Sequence, residues 1–105
     1  MRMVGVKIIR FVDGDYPGWV ECELVDAHGI RHVIRDKVHI FTGETLDAKS
    51  VYPSAGSMQC AVVQRFQDGL GRRLARVSTE RFKVESVDGV TEFTVDANLV
   101  TTFLG

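Results

Sequence analysis

The sequence predicts an all-β fold: a small single-domain antiparallel barrel or sandwich of about seven short strands built from hairpins. Three observations carry that expectation. Segments rich in β-branched and aromatic residues recur along the chain, each bounded by Gly, Asp or Pro. Helical periodicity is weak everywhere, and its best stretch is one or two turns near Thr45 to Ser50. A length of 105 residues suits one domain with one modest core and is too short for two.

The strands are expected at 4–12, 18–25, 30–41, 58–66, 72–79, 82–87 and 90–95. In the second, Val20, Cys22 and Leu24 alternate with Glu21 and Glu23, which marks one buried and one wet face. The turn Asp26-Ala27-His28-Gly29 has Asp in first place and Gly in the left-handed position, the chemistry of a type I turn closed by a bulge. Its register sets Leu24 opposite His32, Cys22 opposite Ile34 and Glu21 opposite Arg35. A two-residue turn at His28-Gly29 would oppose Glu21 to Asp36 and Glu23 to Ile34 instead. Such mismatched pairs cost a few tenths of a kcal/mol to ~1 kcal/mol each, so the bulged turn is preferred.

Further along, Asp88-Gly89 predicts a two-residue hairpin turn. It would pair Val84 with Phe93 and Phe82 with Val95, and would set Glu85 opposite Glu92 with Lys83 as the local counter-charge. The hairpin around Asp68-Gly69-Leu70-Gly71 has two registers that keep the faces in phase, and the sequence does not choose between them. Residues 20–25 resemble 58–63, and both lead into a Gly turn and an Arg-bearing strand. This faint echo over 18–42 and 58–84 is compatible with a duplicated hairpin, and also with chance, since β-strands look alike. Residues 43–57 are expected to form a long loop, functional or partly disordered.

Composition excludes several classes. Lys and Arg total 13 against 14 Asp and Glu, a net charge of -1, which counts against a dedicated DNA-binding protein. No apolar run reaches transmembrane length, and the charged residues near the start leave no room for a signal-peptide apolar region. Two cysteines are too few for a disulfide scaffold. A soluble cytoplasmic domain without membrane contact is the expectation.

Candidate chemistry is sparse. Cys22 and Cys60 both fall on inward faces with no CxxC and no helix N-terminus to lower a thiol pKa, so they read as buried small hydrophobes. A disulfide between them would require neighbouring strands. His28 lies in a turn, His32 faces inward and His39 outward, so no metal site is expected. His32 reads as a core or rim histidine satisfied by a backbone partner. No Gly-rich phosphate loop, HExxH, GxSxG or paired CxxC occurs, and no cofactor is expected.

Two features stand above that background. Both prolines follow a tyrosine, Tyr16-Pro17 and Tyr52-Pro53, and the first lies beside Trp19, the single tryptophan. Proline lowers the entropic cost of presenting a neighbouring ring, and Tyr and Trp are the commonest interface anchors. The same rings could equally cap the open ends of a barrel. Arg31, Arg35 and Lys37 share the outward face of the third strand and would border such a surface. The second feature is basic: Arg65, Arg72, Arg73, Arg76, Arg81 and Lys83 stand against only Asp68 and Glu80 in that stretch.

The first expectation is therefore a non-enzymatic protein-binding module, adaptor- or immunity-like by fold-level analogy. Its contact residues would be Tyr16, Trp19 and Tyr52 with Arg31, Arg35 and Lys37, and it would be a monomer or a homodimer through an edge strand. The alternative is nucleic-acid binding through the arginine-rich hairpin 65–83. A thiol or metal enzyme using Cys22, Cys60 and His32 comes last.

Overall fold

The structure, a computed structural model, describes residues 1–14 and 18–103. Seven strands account for its architecture: β1 (Arg2–Asp13), β2 (Trp19–Val25), β3 (Arg31–Lys37), β4 (Ser54–Gln67), β5 (Arg73–Ser78), β6 (Glu92–Asp96) and β7 (Val100–Thr102). One helical turn, α1 (Val38–Phe41), follows β3, and short 3-10 turns occupy Glu80–Phe82 and Ala97–Leu99. All pairings are antiparallel, in the order β3-β2-β1-β4-β5-β6, with β7 against β1. The all-β expectation holds.

The long strands produce the curl. β1 pairs with β4 through Arg2 to Ile8 and with β2 through Lys7 to Asp13. β4 likewise passes from β1 to β5 near residue 60. Register shifts between Ile8 and Arg10, Phe11 and Asp13, and Val62 and Gln64 add the extra twist that bulges bring. The result is one sheet rolled into a half-barrel, and its two ends touch. Ala27 N donates to Thr94 O (2.8 Å) and Val87 N to Val33 O (2.8 Å).

The concave side holds the core, with Val4, Ile8, Val20, Cys22, Leu24, Ile34, Met58, Val77, Phe93 and Val95 all buried. Gly56 is the tight point of that packing. A Cβ there would lie 2.9 Å from Ile8 Cγ1 and Cδ1 and 3.1 Å from the Phe41 carbonyl.

Three turns share one construction. Asp26, Asp68 and Ser86 each donate their backbone N–H to the carbonyl four residues on (Ile30, Arg72, Val90; 2.9, 3.0 and 2.9 Å). The glycine in the fourth place donates back, and Gly29, Gly71 and Gly89 adopt φ of 79°, 79° and 81°. The Asp26 and Asp68 carboxylates and the Ser86 hydroxyl accept from the N–H groups two and four residues later. This is the type I turn plus bulge expected at Asp26, and the β2–β3 register follows as predicted.

Elsewhere the structure corrects the strand map. The Asp88-Gly89 turn is the bulged kind, anchored by Ser86, and 82–87 is not a strand. Phe93 pairs with Val77 and Val95 with Ala75. Glu92 therefore lies opposite Ser78 and near Arg76, not opposite Glu85. The buried Thr79 hydroxyl donates to Val84 O (2.7 Å) and holds that segment in place of a ladder. Residues 38–41 form a helical turn because Val38 and Phe41, three apart, both enter the core. The loop expected to run to residue 57 ends at Ser54, where β4 begins.

Candidate functional site

The expected contact residues are best judged on the convex face of β1, β2 and β3. Alternation along β2 turns Trp19, Glu21 and Glu23 away from the core. Register then aligns Arg10, Glu21 and Arg35 across three strands. Glu21 is 8% exposed. Arg10 reaches its carboxylate through Nε and Nη2 (both 3.3 Å), and Arg35 through Nε (2.9 Å). Hydrogen bonds from Arg10 and then Arg35 outweigh burial and hold this carboxyl below the usual glutamate range. Arg31 pairs with Glu23 in the same way.

Trp19 opens this face. It is 37% exposed and stands between Asp13 and Lys37 in register. The Lys37 ammonium lies 5.9 Å from the ring centroid, a cation–π contact. Next to Asp13, the bulged Val12 is also exposed. An aromatic ring therefore sits beside Lys37 and near two arginines that share one glutamate.

Trp19, Arg31, Arg35 and Lys37 thus share one face, but Arg31 and Arg35 are tied to glutamates rather than free. Tyr52 is not part of it. Its ring is half-buried against the core, and its hydroxyl donates to Asp47 O (2.8 Å). It caps the fold. Tyr16 lies outside the described residues. Arg10 was not anticipated, because nothing in the sequence shows which strand lies on the other side of β2.

The six basic residues of the second expectation do not form one face. Arg72 is bound to Asp68 Oδ2 (2.8 Å) and to Ala27 O (2.9 Å), which ties two turns together. Arg76 Nε lies 2.9 Å from Glu92 Oε1 as an ion pair, although its N–H is not aimed for a hydrogen bond. Arg81 stacks on Phe82 (5.4 Å), and Lys83 is exposed in the left-handed conformation (φ 60°). Arg65, Arg72 and Arg73 alone meet, around an open cleft of about 770 Å³ with Phe66, Gln67, Leu74, Asp96 and Asn98.

The thiol and histidine constellation does not assemble. β1 separates the strands of Cys22 and Cys60, whose β1 partners are Ile8 and Arg2, about 20 Å apart along the strand. Both thiols are free and buried. Burial pushes Cys22 up to about 12, with Asp36 and Glu21 adding to the effect, and burial also raises Cys60. His32 Nε2 lies 2.9 Å from Asp26 Oδ2, and its ring meets Phe93 edge-on (5.0 Å). Its partner is a carboxylate, not the expected backbone group. Burial works to raise the Asp26 carboxyl, but His32 and the Ile30 and His28 N–H groups together hold it below its ordinary range. No cluster of three metal-ligating side chains occurs among the described residues. No helix among them is long and apolar enough to cross a membrane.

No family model, curated protein or solved structure matches this chain.

Proposed function

We propose that the protein is a non-enzymatic protein-binding module that uses the convex β1–β3 face, with Trp19 as its anchor. Support comes chiefly from Trp19 itself, a large ring left 37% exposed beside Lys37 while Arg10 and Arg35 on the same face are held by Glu21. Paired charges around an exposed aromatic are the anatomy of a hot spot with a polar rim. The partner is another protein. The terminal strand β3 accepts from Val87 N at Val33 O and the terminal strand β6 accepts from Ala27 N at Thr94 O, which blunts the edges that a strand-paired homodimer would use. A cytoplasmic setting fits two unpaired thiols.

The test compares wild type with Trp19→Ala in capture from host lysate, then with purified partner. The variant should bind about tenfold or more weakly, a loss of at least ~1.4 kcal/mol. Equal affinity in a folded variant removes Trp19 from the surface and the reading with it.

A further inference from the structure

We infer that Arg65 and Arg73 form an anion site, separate from the Trp19 face, for a small phosphate-bearing ligand of nucleotide size. Arg73 stands opposite Gln67 and Arg65 opposite Ala75, so the two arginines are diagonal neighbours on one side of the β4–β5 hairpin. Side chains so placed root about 7–8 Å apart, a span that one phosphate bridges. Both are exposed, and neither side chain makes a hydrogen bond or ion pair among the described residues. Two guanidiniums at that spacing repel each other unless an anion lies between them.

The surroundings suit a body as well as a phosphate. Arg72, whose guanidinium is engaged by Asp68 and Ala27, also lines the wall. Phe66, Leu74 and Asn98 also line the cleft, with Gln67, whose amide donates to Gly71 O (3.0 Å). The one carboxylate of the lining, Asp96, accepts from Asn98 N (2.9 Å). The cleft volume, about 770 Å³, lies within the ~300–1,000 Å³ of small-molecule sites.

A polynucleotide fits less well. Strand binding takes many phosphate contacts, whereas Arg72 and Arg76 are already paired, Arg81 and Lys83 line other grooves, and the chain carries a net charge of -1.

Adenosine monophosphate is the probe, titrated into the isotope-labelled full chain and followed by backbone amide shifts. Shifts should appear at residues 65–67, 72–74 and 96–98, inorganic phosphate should reverse them, and adenosine alone should not produce them. The double variant Arg65→Gln/Arg73→Gln, both exposed positions, should weaken binding at least about tenfold while the rest of the spectrum stays native. The inference fails if those amides do not move, if the shifts lie elsewhere, or if the double variant binds as wild type does. A short thymidine oligonucleotide that binds, with steep salt dependence, where the mononucleotide does not would assign the arginines to a nucleic-acid strand and overturn the small ligand.

Discussion

The Asp26 carboxylate faces the His32 ring at 2.9 Å while its other oxygen accepts two backbone N–H groups of the β2–β3 turn. One side chain thus closes the turn and anchors the third strand to it. Asp26→Ala should cost about 2–3 kcal/mol, because it leaves N–H groups and a ring nitrogen without their charged acceptor. The pH dependence follows from the same contacts. A carboxyl held below its ordinary range in the fold takes up protons more readily once unfolded. Its contribution is complete above about pH 4 and fades as the pH falls through the folded-state value. Urea midpoints measured from neutral to acid pH should therefore fall for wild type, and fall less for Asp26→Asn, which has already lost the charge.

Gly56 is where β1, β4 and the helical turn come closest. Gly56→Ala would push a methyl to 2.9 Å from the Ile8 side chain and 3.1 Å from the Phe41 carbonyl. Ile8 is fully buried and the carbonyl is backbone, so neither can yield freely. A loss of about 1–3 kcal/mol is expected from overpacking of this kind. Denaturant unfolding with an unchanged slope would show it. An unaltered midpoint would mean that the strands separate there at little cost.

How much of this was legible before the fold was known depends on what each feature needs. The β2–β3 hairpin needs only local chemistry, alternation plus an Asp-x-x-Gly turn, and its register was readable pair by pair. Ser86 builds the same turn with a hydroxyl in the aspartate's place, and the more familiar Asp88-Gly89 signal masked it. Ser54-Ala55-Gly56-Ser57 lacks β-branched residues and is a strand only because β1 lies beside it. Arg10 became a partner of Glu21 through strand order, which hairpin signals do not encode. The Arg65–Arg73 diagonal exists in the observed register of the β4–β5 hairpin, one that the sequence left open.

The thiols offer a direct check on burial. With Cys22 pushed to about 12, its thiolate is negligible at pH 8, and attack requires opening of the fold. Both cysteines should react slowly with a disulfide reagent in native protein and rapidly in denaturant. Fast native labelling of Cys22 would show that the β1–β2–β3 layer opens readily. Cys22→Ser, which places a hydroxyl at a fully buried site, should cost about 1–3 kcal/mol if no acceptor is found.

Trp19 separates stability from binding. Its ring is part-exposed at a strand end, with the Lys37 ammonium 5.9 Å from its centroid. Removing that contact should lower stability by about 0.5–1 kcal/mol, as exposed cation–π pairs do. A core tryptophan would instead cost ~3–5 kcal/mol on truncation. Trp19→Ala and Lys37→Ala should therefore unfold at nearly the wild-type denaturant concentration. Their effects on affinity should diverge, because the ring supplies the contact area while the lysine only orients it. A Trp19→Ala loss of several kcal/mol in stability would show that the ring holds β1, β2 and β3 together, and the binding surface would then have to be sought elsewhere on the molecule.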